Sequence, residues 1–376
     1  MMKELQNLRH ELHAAAEKSG AEKNTAEIIG QYLEGFKPHQ VITGLGGYGI
    51  AAVFGGNAPG PRLLIRCELD ALPIPETIQL DYGATAGGVA HKCGHDGHMA
   101  IVLGLAPVLS ARPPGKGSVV LLFQPAEEIG KGARRVIEDM RFGEITPDYC
   151  FALHNLPGFA RHRIIVREGS FAAASRGLTV KLHGATSHAA EPEKGNSPTM
   201  AVAQLIHCFS SMPQFYTGLH EAAKVTVIHS RIGEIAFGTS PGEAEVMATL
   251  RAYEQDVMER LSGKCLDLVK GIARANDLTC EIGWDEEFPA TVNNADCAGL
   301  IKKCASQLNL DIYEPEKPFP WSEDFGNFTT LCPGALFGLG AGEEHPGLHH
   351  PTYDFPDEIL DTGVKMFEGI VHELTD

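Results

Sequence analysis

The residues with the clearest capacity for chemistry lie in one short segment, residues 91–98, which reads H-K-C-G-H-D-G-H. A cysteine thiolate and histidine imidazoles are ligands that suit zinc and neighbouring divalent metals. Gly94 and Gly97 allow the backbone to wrap closely around an ion. A solvated histidine-rich loop would have the same composition, so this segment alone leaves both interpretations open.

Further side chains that can bind a metal occur in three distant segments. Glu127 and Glu128 follow one short apolar run, His154 follows another, and His349 lies in a C-terminal loop rich in Gly and Pro. Two adjacent carboxylates can have different roles, because one can ligate a metal while the other accepts a proton from water. A solvated acidic turn or a structural histidine would explain each feature separately. The four segments together favour one shared metal site.

The elements that must position these side chains alternate between strands and helices. Apolar runs bounded by Gly or Pro predict strands at residues 50–54, 63–65, 119–123 and 149–153. Helical spacing of apolar residues predicts helices within residues 3–36, with a break near 19–20, and at 99–109 and 133–140. This order predicts an α/β catalytic domain with a mixed, mainly parallel sheet and helices on both faces. Such sheets place their sites at the carboxyl ends of the strands.

The pattern changes after about residue 170. Residues 178–182, 224–228 and 244–250 alternate as half-exposed strands, whereas residues 198–209 and 254–273 have helical spacing. The order strand–helix–strand–strand–helix–strand predicts an inserted α+β (ferredoxin-like) lid domain. From Trp284 onward the α/β pattern returns. We therefore predict a discontinuous catalytic, metal-binding domain at 1–170 and 283–376, interrupted by the inserted domain at 171–282.

Composition excludes several classes of protein. The chain has 376 residues, 43% of them hydrophobic and 21% charged, which indicates a globular protein of about two domains. Its formal net charge of −17 argues against a nucleic-acid partner. No apolar run is long enough for a membrane helix, and residues 1–20 lack a signal-peptide core. The nine scattered cysteines are typical of reduced thiols, so we expect a cytoplasmic location and no membrane partner.

One glycine pattern is a false signal for a nucleotide site. Gly44, Gly46 and Gly49 have the spacing G-x-G-x-x-G, but residues 50–54 after them have the pattern of a strand. A dinucleotide-binding fingerprint must open a helix that receives the pyrophosphate. We therefore predict a Gly-rich hairpin here.

Six motifs in order along the chain carry a family resemblance. Residues 66–73 resemble R-A-D-x-D-A-L-P, 91–98 resemble H-A-C-G-H-D-x-H, 123–128 match F-Q-P-A-E-E, 184–192 resemble G-x-x-x-H-A-A-x-P, 322–325 match S-E-D-F, and 349–355 resemble H-x-P-x-Y-D-F. Residues 8–13 and 22–25 also resemble the start of the same family. The chain thus resembles the metallo-aminoacylases, which include hippurate hydrolases, N-acyl-amino-acid amidohydrolases and auxin-conjugate hydrolases.

The resemblance implies a role for each matching position. It implies two divalent metal ions, with the ligands Cys93, His95, Glu128, His154 and His349, the thiolate bridging both ions. It also implies that Glu127 is the general base and that Asp70 orients a metal-bound imidazole. In the inserted domain, His188 would reach an active site, often that of a partner subunit in a homodimer. Arg251 would hold the substrate carboxylate through a bidentate ion pair.

Four positions depart from the family pattern. Glu68 stands where Asp is usual, which adds a methylene beside the site, and Gly238 replaces an Asn near the substrate. Glu193 and Ser197 replace the usual His and Asp after the lid histidine. All the proposed ligands and the base are kept. The departures, that at Gly238 among them, therefore concern the identity of the substrate more than the reaction.

The function implied is hydrolysis of N-acyl amino acids to a carboxylic acid and a free amino acid. Water activated by the metal would attack the amide carbonyl, with Glu127 as general base. The donor set suits Zn, Mn, Co or Ni, and the acyl group stays open. Two alternatives remain at this point: a thiol hydrolase with Cys93 as nucleophile, and a non-catalytic, metal-dependent binding protein of the same fold.

Overall fold

The computed structural model describes residues 2–85 and 87–376, which form two compact units. Unit 1 contains the chain up to Phe171, together with Thr291–Lys317 and Asp324–Asp376. Unit 2 contains Ala172–Ala290 and Pro318–Glu323. No helix among the described residues is long and apolar enough to cross a membrane.

The helices of the two units are named here in chain order. They are α1 (Met2–Ala14), α2 (Lys23–Glu34), α3 (His95–Leu103), α4 (Leu105–Ala111), α5 (Gly132–Glu138), α6 (Thr199–Tyr216), α7 (Gln255–Ala275), α8 (Ala295–Gln307), α9 (Gly326–Thr329) and α10 (Leu360–Thr375). Short 3₁₀ helices lie at Met140–Glu144, Pro192–Lys194 and Asp357–Ile359.

The strands are named in the same way. They are β1 (Gln40–Leu45), β2 (Gly49–Gly55), β3 (Arg62–Glu68), β4 (Ser118–Gln124), β5 (Tyr149–Pro157), β6 (Ile164–Ile165), β7 (Gly169–Ala172), β8 (Ala174–His183), β9 (Ser187–His188), β10 (Ala223–Ile232), β11 (Thr239–Ser240), β12 (Glu243–Ala252), β13 (Thr279–Phe288), β14 (Thr291–Asn293), β15 (Ile312–Tyr313) and β16 (Gly334–Gly342).

Unit 1 is built on an eight-stranded sheet in the order β1-β2-β4-β3-β5-β16-β6-β15. The central strands β4, β3, β5 and β16 pair in parallel, and β1 and β2 form an antiparallel margin. Successive residues of β3, Leu63, Leu64 and Ile65, are all fully buried, so both faces of the sheet are covered. The predicted α/β fold class, with a mainly parallel sheet, is confirmed.

The parallel register brings the candidate site together at one edge of this sheet. Glu68 at the end of β3 pairs with Gln124 at the end of β4, and β3 also runs parallel to β5. Segments that leave the carboxyl ends of neighbouring parallel strands emerge side by side. Residues 69–70 and 125–128 are therefore neighbours. His154 lies within β5, two positions after the Ala152 that pairs with Arg66, so it is level with the end of β3.

Unit 2 is an antiparallel sheet with two helices. The sheet has the order β10-β12-β8-β13, and the chain order is β8-α6-β10-β12-α7-β13, which is the predicted ferredoxin-like arrangement. Alternate residues of β8, Leu178, Val180 and Leu182, are buried in a core shared with α6 and α7. Strands β9 and β11 form a separate two-stranded ribbon.

Three local details complete the comparison with the sequence. The predicted helix at 99–109 is two helices, α3 and α4, which meet at Gly104. The Gly44–Gly49 segment is a hairpin between β1 and β2, as predicted. The domain limits stay a prediction, but the limit at 282/283 falls inside β13. That strand pairs with β8 as far as Phe288, because Ile282 and Trp284 pack against the core of unit 2.

Candidate metal centre and active site

The segment that carries Cys93 turns sharply into α3 at Gly94. Gly94 has a φ of +87°, and a Cβ atom there would lie 2.4 Å from Asn155 Nδ2 and 2.6 Å from Tyr353 Oη. Only glycine fits this position. Asn155 Nδ2 also donates to the Cys93 carbonyl at 2.8 Å, and the Tyr353 hydroxyl donates to Asn155 Oδ1 at 2.6 Å. These contacts fix the backbone on which Cys93 and His95 are placed.

The side chains predicted as metal ligands converge in unit 1. The ligand atoms of Cys93, His95 and His154 all lie within 4.8 Å of one another, and so do those of Cys93, Glu128 and His349. Cys93 belongs to both groups, and its Sγ is 3.5 Å from His154 Nε2. The structure therefore brings these five side chains together at one place.

Hydrogen bonds on the far side of each ring orient two of the imidazoles. His95 Nδ1 donates to the Asp70 carbonyl at 2.8 Å, and His154 Nδ1 donates to the Asn155 carbonyl at 2.8 Å. Because a carbonyl can only accept, the hydrogen is on Nδ1, and Nε2 keeps its lone pair toward the cluster. Such second partners are typical of metal-bound histidines.

The surroundings of two of the candidate ligands disfavour their charged forms. Burial, together with the nearby His98, lowers the pKa of His154 to about 3. Burial and His95 also lower the pKa of His349. A metal ligand must be deprotonated, so this environment prepares both rings for metal binding.

His349 comes from a distant loop and closes the exposed side of the cluster. Its backbone N–H donates to the Lys92 carbonyl at 2.7 Å, which ties the C-terminal loop to the segment that carries Cys93. Its Nε2 lies 3.9 Å from Glu128 Oε2, and its side chain is 53% exposed. The other four side chains are largely enclosed, so solvent or a substrate would approach from the side of His349.

Glu127 lies beside the cluster, as its predicted role requires. Its Oε2 is 3.9 Å from His95 Nε2, and Glu128 Oε1 is 3.8 Å from the same nitrogen. The two consecutive carboxylates thus both approach the same imidazole nitrogen. One of them can bind an ion while the other accepts a proton beside it.

Asp70 orients His95 differently from the prediction. Its backbone carbonyl accepts the His95 hydrogen bond, whereas its carboxylate Oδ1 is 3.8 Å from the same nitrogen. The carboxylate instead accepts the N–H groups of Glu127 at 3.1 Å and Glu128 at 3.0 Å, and the Ser19 hydroxyl at 2.6 Å. Asp70 therefore contacts His95 through its backbone carbonyl and the main chain of Glu127 and Glu128 through its carboxylate.

His188, Gly238 and Arg251 lie in unit 2. His188, at the end of β9, is exposed and pairs with Thr239, and the carbonyl of Gly238 accepts the N–H of Ala189 at 2.9 Å. His188 and Gly238 are therefore close neighbours. Arg251 is near the end of β12, where Nη1 donates to the Pro320 carbonyl and Ser322 Oγ, both at 3.1 Å.

Arg251 borders a cavity with a second cation. The cavity has a volume of about 280 Å³, and Lys224 and Tyr253 also line it. Lys224 is directly opposite Arg251 in the β10–β12 pair, so both side chains are on the same face. Two neighbouring cations can attract a carboxylate.

The sequence did not indicate the buried ionic chain beneath the metal centre. His98 Nδ1 donates to Glu68 Oε2 at 2.7 Å, and the N–H of Asn155 donates to His98 Nε2 at 3.1 Å. Arg66 pairs with Glu68 and, at 2.5 Å, with Asp324. Both carboxylate oxygens of Glu68 thus have a partner: Oε1 pairs with Arg66 and Oε2 with His98. These residues lie within motifs of the sequence. The pairing of Arg66 with Asp324, 258 positions apart, depends on the tertiary fold and has no local signal.

The donor set fits divalent metal ions. One cysteine, three imidazoles and one carboxylate form two overlapping groups of ligand atoms that share Cys93, and His95 and His154 keep their Nε2 lone pairs toward the cluster. This mixture suits zinc and neighbouring transition metals better than magnesium or calcium, which prefer oxygen ligands.

Most of the chain matches the sequence pattern of one known protein family. The model of peptidase family M20/M25/M40 matches residues 64–373, which include all the side chains of the candidate metal centre. The chain belongs to this family.

Named relatives of this M20-family chain act on amides. A hippurate hydrolase of Campylobacter jejuni is 30% identical over 95% of this chain and 93% of its own length. An N-acetyl-L-cysteine deacetylase of Bacillus subtilis is 31% identical over 95% of this chain and 85% of its own. A solved dinuclear metal-binding peptidase of the M20 family from Bacillus subtilis has a TM-score of 0.83 at 26% identity, covering 100% of this chain and 98% of its own. The resemblance found in the sequence is confirmed.

The first helix of this M20-family chain supports the metal centre through a buried histidine. His13 Nδ1 lies 2.8 Å from Asp96 Oδ2, and its Nε2 lies 3.0 Å from Glu76 Oε1. Burial opposes the charged form, but the hydrogen bonds and charges of Asp96 and Glu76 raise the pKa of His13 to about 9. His13 is therefore a cation at neutral pH, and it holds the residue that follows His95.

This ion pair predicts a pH-dependent stability. His13→Gln removes a cation whose pKa rises on folding from about 6.5 to about 9, a difference worth about 3 kcal/mol. The free energy of unfolding should exceed that of the variant most below pH 6.5, and the excess should disappear as pH rises through about 9. Urea unfolding in EDTA measures it without a contribution from metal release. An excess that stays constant between pH 6 and about pH 9.5 would contradict the assignment.

Proposed function

We propose that this chain is a metal-dependent amidohydrolase that cleaves N-acyl amino acids to a carboxylic acid and a free amino acid. One observation carries the proposal: five side chains of ligand type, with a second carboxylate beside them, lie at one place in an M20-family chain. The named relatives hydrolyse hippurate or remove acetyl groups from amino acids. These activities share one bond type, the amide between an acyl group and an amino acid.

Two divalent ions, Zn, Mn, Co or Ni, would be held by Cys93, His95, Glu128, His154 and His349. Cys93 belongs to both groups of ligand atoms, so its thiolate would be a ligand in either group. When bound, such ions polarise the amide carbonyl and lower the pKa of water. The solved M20 peptidase of Bacillus subtilis is described as dinuclear, which supports two ions.

Glu127 would move the proton. Its carboxylate accepts a proton from the attacking water and then delivers it to the leaving nitrogen, so that the amine departs neutral. The position of Glu127 beside His95 and Glu128 supports this role. The Asp70 carboxylate holds the main chain of Glu127, and its carbonyl holds the ring of His95.

Arg251 would bind the carboxylate of the amino-acid half of the substrate. Its guanidinium can form two parallel hydrogen bonds with a carboxylate, and Lys224 adds a second positive charge at the same cavity. Gly238 would leave space where an Asn side chain is usual in the family, and its exposed position next to His188 agrees with a site near the substrate.

His188 would stabilise the negative charge on the attacked carbonyl oxygen, and we propose that it comes from a second copy of the chain. Within unit 2, Arg251 is opposite Ser175 at one end of the sheet, whereas His188 lies beyond the other end, where Glu243 is opposite His183. At about 3.3 Å per residue, β12 alone separates these ends by about 26 Å. One copy of unit 2 therefore cannot bring both side chains to one small substrate.

The edge strand β10 of the sheet in unit 2 offers a surface for that second copy. β10 is at the edge of its sheet, and within the described part of the chain no strand pairs with its outer side. Exposed apolar side chains lie along β10 and in the loop after it: Ile228, Ile232, Ile235 and Phe237. Edge strands with such side chains favour pairing with another strand. We propose a homodimer through this edge, with the two sheets made continuous.

The place of action proposed is the cytoplasm. No disulfide links any of the nine cysteines in the described part of the chain, and several of them are buried, which agrees with a reducing compartment. The cytoplasmic location stays a prediction.

The first test separates the base from the ligands. Glu127→Gln should lower kcat for N-acetyl or N-benzoyl amino acids by about 10²–10⁴-fold, because the amide cannot accept the proton. Elemental analysis after dialysis should still find the metal content of the wild type. Glu128→Gln should instead lose metal, and Glu343→Gln, an exposed change in unit 1, should alter neither quantity.

Two results would contradict this reaction. Normal turnover by Glu127→Gln would remove Glu127 as the base. Full activity in a chelator, together with loss of activity on alkylation, would favour a thiol hydrolase, for which the 3.5 Å approach of Cys93 Sγ to His154 would be the nucleophile–base pair.

The second test concerns the shared site. His188→Ala and Arg251→Ala should each lower kcat/KM by about 10²-fold or more, since each removes a charged or hydrogen-bonding contact with the substrate. Mixing the two inactive variants and allowing subunits to exchange should restore about a quarter of wild-type activity, because half of the dimers then contain one complete site. His207→Ala, an exposed change on α6, is the control.

The absence of any restoration, in a mixture shown by labelling to contain heterodimers, would place both side chains at the site of one subunit. It would also contradict the dimer-borne role of His188.

A further inference from the structure

The turn that carries Glu127 has an unusual backbone conformation. Ala126, the residue before Glu127, has a φ of +53°, in the left-handed region that residues with a side chain rarely adopt. Such a conformation persists only where surrounding contacts determine it. The contacts that hold this turn are therefore informative.

Three consecutive N–H groups of the turn point at two buried carboxylates. Ala126 donates to Glu22 Oε1 at 2.8 Å, Glu127 to Asp70 Oδ1 at 3.1 Å, and Glu128 to Asp70 Oδ2 at 3.0 Å. Successive N–H groups around a left-handed residue form a concavity that binds anions. Here the protein supplies the anions itself, from two different parts of the chain.

The two carboxylates are themselves fixed by the segment between α1 and α2. The Ser19 hydroxyl donates to Asp70 Oδ2 at 2.6 Å, and the N–H of Gly20 donates to Glu22 Oε1 at 2.8 Å. Both Glu22 and Asp70 are fully buried. Burial and the charge of Asp70 raise the pKa of Glu22, while the N–H groups of Gly20 and Ala126 oppose that rise. A carboxylate placed so close to another one needs these donors.

We propose that Glu22 is a positioning residue for the general base: together with Asp70 it clamps the main chain of residues 126–128 and thereby directs the Glu127 carboxylate toward the metal centre. The clamp acts only through N–H groups, so it occupies no lone pair of Glu127. Its catalytic consequence rests on the proposed function, whereas its effect on the turn does not.

The chain offers a matched control in Glu17. Its carboxylate lies in the same segment and accepts three hydrogen bonds. The donors are the N–H of Thr25 at 2.9 Å, the hydroxyl of Thr25 at 3.1 Å and the side-chain amide of Asn24 at 3.0 Å. These contacts fix the start of α2 and do not involve residues 126–128. Removing the Glu17 carboxylate therefore tests a general loss of stability in this segment.

The experiment compares Glu22→Ala, Glu22→Asp, Glu22→Gln and Glu17→Ala in the metal-loaded protein. Glu22→Ala should lower kcat by about 10–100-fold with KM within about 2-fold, since small misplacement of a catalytic group costs this much. Metal content should stay at the wild-type value. Glu22→Asp, one methylene too short, should behave similarly if Glu22→Ala fails to fold, and Glu22→Gln, which keeps the acceptor oxygen, should stay within about 3-fold of the wild type.

Amide hydrogen exchange supplies a readout that needs no activity. Exchange at residues 126–128 should become at least about 10-fold faster in Glu22→Ala or Glu22→Asp and stay unchanged in Glu17→Ala. If the wild type hydrolyses no N-acyl amino acid, the proposed function fails while exchange still decides the clamp. Unchanged kcat and exchange in Glu22→Ala or Glu22→Asp, or equal losses of kcat in these variants and Glu17→Ala, would overturn the proposal.

Discussion

The structure depends on buried carboxylates that each need donors, because an uncompensated buried charge would prevent the site from forming. Glu68 is held by Arg66 and His98, and Asp96 by Arg9 and His13. Asp70 differs, since backbone N–H groups supply most of its hydrogen bonds. These surrounding contacts let the metal-facing side chains keep their lone pairs for ions.

The supporting contacts come from parts of the chain that the reaction itself does not involve. Helix α1 contributes Arg9 and His13, and the segment after it contributes Ser19 and Glu22. In the helix that follows the turn, the N–H of Ala133 donates to Asp324 Oδ2 at 2.9 Å. The strand ends bring the ligands together, and these flanking segments then fix their directions. A change far from the metal centre in sequence can therefore alter catalysis without touching a ligand.

The sequence predicted the fold class and the family because both depend on patterns that are local in the chain. Apolar runs predicted β3, β4 and β5, and motifs along the chain supported the family, and both predictions are confirmed. The ligand assignments stay predictions, although the side chains do converge. The sequence missed the partners of Glu68 and the carboxylate contacts of Asp70, because hydrogen-bond partners are chosen by tertiary packing. The limits of the inserted domain stay a prediction, and the limit at 282/283 falls inside β13, whose Trp284 packs in unit 2.

We propose that Cys93, His95, Glu128, His154 and His349 hold two divalent ions that share the Cys93 thiolate. Anomalous X-ray diffraction from crystals of the zinc- or manganese-loaded protein tests it most directly. We expect two anomalous peaks at this cluster, about 3.5–4 Å apart, with Cys93 Sγ next to both. A single peak remote from Cys93, or an ion held instead by Glu68 and His98, would contradict it.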